Sequence, residues 1–210
     1  MSRLPRESEE VKAIHDKILA KSLELIAKHG FRSLTMRELA REAGMTAANI
    51  YNYFASKDEI FLHIVIRGYA LLAADLELAM NSAASPLARA RGMMLAFMKF
   101  GVERWDFYEV MFVSAAPHAA EFAGTPLEKL AAEEHEHSLA VLATVYATME
   151  ELSAGKPSEA EKSLLVTEIW SLLHGWITLY HRQILGYIAP EPERQAEALV
   201  DDIIGRFGRS

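Results

Sequence analysis

Residues 30–61 read GFRSLTMRELAREAGMTAANIYNYFASKDEIF, and this stretch decides the fold. It holds two short helical patterns, Met36–Ala43 and 47–54, joined by Gly44-Met45-Thr46. Thr35 with Glu38 three residues on is a capping box, in which each side chain satisfies an orphan backbone donor of the first turn. Gly44 is free to take the left-handed conformation that ends a helix. Thr46 is placed to cap the second helix. Leu39, Ala43, Met45 and Ile50 supply a shared core, and Ala40 is small where the helices cross. Two brief helices with a Gly-containing turn of this length form a helix-turn-helix.

The outward residues of the second helix carry the chemistry. Ala48, Tyr51 and Asn52 fall at i, i+3 and i+4 and share a face, flanked by Ala47 and Asn49. Asn pairs bidentately with adenine in the major groove, and Ala contacts the thymine methyl. Tyr51, Tyr53 and Lys57 suit phosphates, which fix register without reading sequence. Arg37, at the start of the first helix, is placed for the DNA backbone or a guanine edge. The N-terminus of the second helix offers free N–H groups to a phosphate. The alternative is a plain hairpin in a bundle, but a bundle helix would not expose Asn49, Tyr51, Asn52 and Tyr53 together.

Outside this stretch the chain also reads as helical. It has 210 residues, 51% of them apolar, with only 11 Gly and 7 Pro. Helices are expected at 9–29, Lys57–Asn81, 86–102, 104–114, 126–153, 159–185 and 193–207, with a break at 82–86. Capping boxes at Ser56/Glu59, Thr125/Glu128 and Ser158/Glu161 mark starts, and Gly30, Gly44, Gly155 and residues 190–192 mark stops. The fold class is therefore all-α: an N-terminal three-helix helix-turn-helix domain followed by a C-terminal helical bundle.

Cysteine is absent, which excludes disulfide scaffolds, thiolate metal sites and a Cys nucleophile. No apolar run approaches the ~20 residues that span a bilayer. The N-terminus lacks the apolar stretch of a signal peptide, so a cytoplasmic location is expected and no membrane partner. The net charge of −7 argues against nucleic acid until it is divided. Residues 1–57 carry 10 Lys and Arg against 7 Asp and Glu, giving +3; residues 58–210 carry 12 against 22, giving −10. The charge thus divides the chain into a basic helix-turn-helix domain at 1–57 and an acidic helical body at 58–210.

Two motifs are specific enough to name a family. Thr35 to Gly44 follows T-x-R-x-L-A-x-x-A-G, and Ile50 to Lys57 follows I-Y-x-Y-F-x-S-K. Over about residues 12–62 the chain resembles the N-terminal DNA-binding domain of TetR-family transcriptional regulators. The resemblance implies DNA contacts at Thr35, Arg37, Thr46, Ala47, Asn49, Tyr51, Asn52, Tyr53 and Lys57. It implies a homodimer on a palindromic double-stranded operator, usually a repressor released by a small molecule. Ala47 and Ala48 depart from the Lys, Arg, Ser or Gln common on this helix, leaving Asn49 and Asn52 as the main polar readers. Further on, TEIWSLLHGWITLY (residues 167–180) resembles the Trp-His-Gly signature of one C-terminal class of these regulators, carried by Trp170, His174 and Gly175.

The acidic part has the makings of an interface and a pocket. Ala196, Leu199, Val200, Ile203, Ile204 and Phe207 form one apolar stripe. The preceding helix is apolar around most of its circumference and must be covered on every side. A second subunit is one cover, giving a four-helix bundle with Leu165, Leu172, Gly175, Trp176, Leu199 and Ile203 at the interface; the monomer's own core is the other. Met and aromatic residues suit an apolar or aromatic ligand. With the family as guide, Phe97, Trp105, Tyr108, Met111, Tyr146, Trp170 and His174 are the candidate lining, with core packing as the alternative for each.

Glu133-Glu134-His135-Glu136-His137 reads as a solvated face: Glu133 and His137 are i, i+4 neighbours, and zinc wants three or four ligands. No metal or cofactor is expected. No nucleophile motif or phosphate loop is present, so an all-helical enzyme using His118, His174 or the 133–137 run is a remote alternative. A DNA-binding protein of this fold without an effector is the other. Ser56-Lys57 runs straight into Asp58-Glu59-Ile60-Phe61, so a ligand signal would travel through the helix that starts at Lys57.

Overall fold

The structure, a computed structural model, describes residues 4–152 and 157–207, and the side chains of 9–152 and 157–206. Gly155 and the side chain of Phe207, both used above, lie outside these limits. Among the described residues all regular structure is helical. The α-helices are α1 (Leu4–His29), α2 (Met36–Ala43), α3 (Ala47–Tyr51), α4 (Lys57–Asn81), α5 (Pro86–Glu103), α6 (Trp105–Tyr108), α7 (Glu128–Leu152), α8 (Glu159–His181) and α9 (Pro192–Phe207).

The caps explain most of the boundaries. The Thr35 hydroxyl accepts from the Glu38 N–H at 3.2 Å and starts α2. At α8, Ser158 and Glu161 make the full reciprocal box. At α4, Ser56 accepts from the Glu59 N–H at 3.1 Å, but the Glu59 carboxylate takes the Ala55 N–H instead, at 2.6 Å. The Thr125/Glu128 pair does not close as a box: Glu128 reaches the Gly124 N–H at 3.2 Å, and α7 starts at Glu128 rather than at 126. Ser85 caps α5, with Pro86 in the first turn, where its missing N–H costs nothing.

Three expected helices end or change early. The second helix stops at Tyr51 rather than 54, because Tyr53 and Phe54 both donate to the Ile50 carbonyl and the chain turns into the α4 cap. The expected 104–114 helix is α6 followed by one wide π-helical turn, Glu109–Val113, closed by the Ser114 N–H on the Glu109 carbonyl at 2.7 Å. α8 ends at His181 rather than 185, where Gln183 adopts φ 58°. Gln183 and Ile184 donate to the Tyr180 and Leu179 carbonyls, which is a Schellman stop built without glycine.

The chain packs as two compact units. One joins the described residues up to Gly68 with Asp106–His137; the other joins Tyr69–Trp105 with the described residues from Ser138 on. Packing therefore draws its lines elsewhere than the charge boundary at residue 57. The first unit's core includes Ile18, Ile26, Leu39, Ile50, Phe54, Ile60, Ile64 and Tyr108, all at most 1% exposed. Each such side chain contributes about 1.5–3 kcal/mol by leaving water. Gly68 lets α4 approach the π-helical turn, since a Cβ there would run into the Met111 sulfur and the Phe107 ring. α1 touches the same turn.

In the second unit α5 packs on α8 and α9. Met93, Met94, Met98 and Phe100 meet a core that includes Leu173, Trp176, Ile177, Val200 and Ile203, all buried. Gly101 allows the closest approach, because a Cβ there would overlap Ile177. Ion pairs edge this core: Arg91–Asp201 at 2.6 Å between α5 and α9, Arg206–Glu168 at 3.0 Å between α9 and α8, and Arg89–Glu151 and Arg104–Asp75. Exposed pairs of this kind add little each and mainly fix register. Among the described residues no helix is long and apolar enough to cross a membrane.

Candidate nucleic-acid interface

The turn between α2 and α3 fixes the site. Gly44 sits at φ 66°, ψ 37°, and its N–H and that of Met45 close on the Arg41 and Ala40 carbonyls at 3.1 and 2.8 Å. This is a Schellman motif, and it leads straight into the next cap, where Thr46 accepts from the Asn49 N–H at 3.2 Å. Ile50 is fully buried and pins α3 on the core. The side chains on the opposite face have no choice but to point out.

Thr35, Arg37, Thr46, Asn49, Tyr51 and Asn52 are exposed, Tyr51 by 54%. Among the described residues, Arg37, Asn49, Tyr51 and Asn52 make no side-chain hydrogen bond to the rest of the chain. Their donors and acceptors are solvated in the free protein and available to a groove. Ala47 and Tyr53 are half-buried at the edges of this face. With five residues, α3 is too short for its dipole to matter much, so the side chains must carry recognition.

Lys57 has a second occupation that the sequence did not show. Its ammonium donates to the Phe31 and Arg32 carbonyls, both at 3.3 Å, and lies 4.7 Å from the centre of the Phe31 ring. It ties the start of α4 to the turn before α2. Lys has three donors, so one remains for a phosphate.

The candidate ligand residues divide between the two units. Tyr108 and Met111 belong to the first; Phe97, Trp105, Tyr146, Trp170 and His174 belong to the second. Tyr108 is wholly buried, 5.1 Å from the Phe112 ring, and burial pushes its hydroxyl above the ordinary tyrosine range. Phe97, Tyr146 and His174 are half-buried. Trp105 stacks on His181 at 3.9 Å, and the His181 ring bonds the Gly101 carbonyl at 3.0 Å through Nε2. His174 faces Trp170 edge-on at 6.5 Å, and burial lowers its pKa. Trp170, on α8, is 49% exposed.

Of the expected interface residues, Trp176 and Ile203 are 7% and 2% exposed in the single chain. Leu164 at 70%, Trp170 at 49% and Leu172 at 36% are the exposed large apolar residues of α8, with Leu165 and Gly175 of α8 and Leu199 of α9 half-covered. In the 133–137 run, Glu134 is raised by burial, against the pull of His135, His118 and His137. Among the described residues no three His, Asp or Glu are grouped to hold a metal.

A capped helix-turn-helix presenting unsatisfied Asn, Tyr and Arg side chains defines a DNA-binding protein of the all-helical regulator class. The N-terminal model of bacterial regulatory proteins of the tetR family matches residues 18–64, and a tetracyclin repressor-like C-terminal domain model matches residues 90–203. The chain belongs to the TetR family of transcriptional regulators. The transcriptional repressor KstR2 of Mycobacterium tuberculosis is 30% identical over 94 residues, 44% of this chain and 46% of that protein. The chain thus matches about half the length of this curated relative. Its structure, described as a ketosteroid transcriptional regulator, superposes with a TM-score of 0.68 at 17% identity, covering 91% of this chain and 93% of that one. The fatty acid degradation regulator FadR from Bacillus halodurans gives 0.66 at 18% identity, covering 92% and 93%. AibR in complex with isovaleryl coenzyme A and operator DNA gives 0.66 at 16% identity, covering 89% and 96%.

Proposed function

We propose that this regulator is a repressor that binds a palindromic operator as a homodimer and is released by a small apolar or aromatic ligand. The observation that carries the DNA part is the α3 face, where Asn49, Tyr51 and Asn52 stand exposed with no partner of their own among the described residues. Thr35, Arg37, Thr46, Ala47, Tyr53 and Lys57 complete the contact set. Half-sites would lie about one helical turn apart, roughly 34–36 Å, or a multiple of it.

The open apolar residues of α8 support the homodimer, with Leu164, Leu165, Leu172 and Gly175 of α8 and Leu199 of α9 toward the partner. The Met and aromatic content of α5 and its neighbours supports an apolar effector near Phe97, Trp105, Tyr146 and His174. The structural neighbour AibR is seen in complex with isovaleryl coenzyme A and operator DNA, which supports effector binding over a DNA-binding protein without effector. On this reading the protein acts in the cytoplasm and is not an enzyme. The unbroken α4 would carry the signal.

A gel-shift titration against the DNA upstream of its own gene tests the reading. Expected is tight, salt-sensitive binding that Asn49→Ala or Tyr51→Ala weakens. Binding that does not distinguish this duplex from random DNA would end the specific-repressor reading. Light scattering at micromolar protein tests the dimer, which a monomer mass would refute.

A further inference from the structure

Two histidines meet behind the recognition helix. His15 of α1 lies 4.3 Å from the Phe54 ring and 5.5 Å from His63 of α4, edge to face, and His63 lies 5.7 Å from the same Phe54. Phe54 is 1% exposed, and its N–H donates to the Ile50 carbonyl of α3 at 3.1 Å. The ring thus marks where the C-terminal end of α3 is held. Resting on the DNA-binding reading above, we propose that His15 and His63 are positioning residues: their rings clamp Phe54, and through it α3, in its reading position, and protonation of His63 releases the clamp.

The surroundings of His63 support this. Burial lowers its pKa first and the His15 ring second, against the pull of Glu59 on α4 and Glu133 on α7. One oxygen of the Glu59 carboxylate accepts the Ala55 N–H at 2.6 Å. The neighbouring Arg67–Asp16 pair, at 3.1 Å, joins the same two helices. A positive charge on His63 is disfavoured by its partial burial and by the neighbouring His15 ring. The sign follows: the packed arrangement favours neutral His63, the loosened one binds the proton more readily, and packing is lost as pH falls through the ordinary histidine range.

This opposes the default electrostatics of a DNA-binding protein. Acid protonates exposed histidines, adds positive charge and by itself tightens binding to phosphates. A loss of affinity in acid is therefore diagnostic. The probe is a duplex selected from a random library with the wild-type protein at neutral pH, titrated at constant ionic strength. We expect binding about tenfold weaker at about pH 5.5 than at about pH 7.5. His63→Phe and His15→Phe keep a ring in the stack and should abolish the acid loss. Wild-type affinity that holds or rises in acid would overturn the proposal, as would variants that keep the full loss. Should the Phe variants fold poorly, ring-proton NMR of the wild type decides: His63 must titrate lower in the DNA complex than in the free protein, and equal midpoints refute the clamp. Failure to select any duplex at neutral pH would instead bring down the DNA-binding reading itself.

Discussion

Asn49 and Lys57 show how differently two contact residues are built. Asn49 spends its backbone N–H on the Thr46 cap and keeps its amide free. Asn49→Ala should therefore cost about 1–3 kcal/mol at a single base position, read by titrating duplexes with one base pair changed at a time. Lys57 spends two donors on the Phe31 and Arg32 carbonyls and keeps one. Lys57→Met should lower the melting temperature and also reduce the slope of log affinity against log salt by about 0.9, the loss of one phosphate contact. An unchanged slope would make Lys57 structural only. The i, i+3, i+4 spacing made the Asn49 face legible from sequence. The Lys57 carbonyl contacts were not, because they join residues 25 and 26 positions apart. His15 and His63 were not legible, because which rings meet across two helices is set by packing.

At the scale of elements, starts were easier to read than stops. Thr35, Ser56 and Ser158 cap where their spacing says, since a cap is a local hydrogen bond. The end of α8 was hidden because Gln183, not glycine, takes the left-handed position. A non-glycine residue there costs roughly 1–2 kcal/mol. Gln183→Gly should therefore raise stability by about 1 kcal/mol in a denaturant titration, and no gain would mean that the Gln183 side chain compensates. The π-helical turn at Glu109–Val113 has no sequence mark at all; it arises where Met111 and Phe107 settle on Gly68. Gly175 makes the opposite case, with nothing within 4 Å of a Cβ built on it. Gly175→Ala should stabilise the monomer by about 0.5–1 kcal/mol. If Gly175 is the point where two subunits approach, the same change weakens dimerisation, measured by light scattering across a dilution series. An unmoved dissociation constant would remove Gly175 from the interface.

At the scale of the molecule, the fold class and the family were both visible in the sequence, the latter because residues 35–57 keep a dense motif. The ligand residues were less visible. Large apolar side chains serve a core, a pocket or an interface equally well, and only exposure separates Tyr108 at 0% from Trp170 at 49%. Charge divides the chain at residue 57, but packing gathers the described residues up to Gly68 with Asp106–His137. Solvation sets the first division and core formation the second, and nothing requires them to coincide. The joined unit has a consequence for recombination among such regulators. A crossover that imports only the N-terminal helices separates Gly68 from Met111 and Phe107, whose shapes are matched to it. A hybrid that reads a new operator with full stability must inherit two stretches of gene at once, the N-terminal one and the one encoding 106–137.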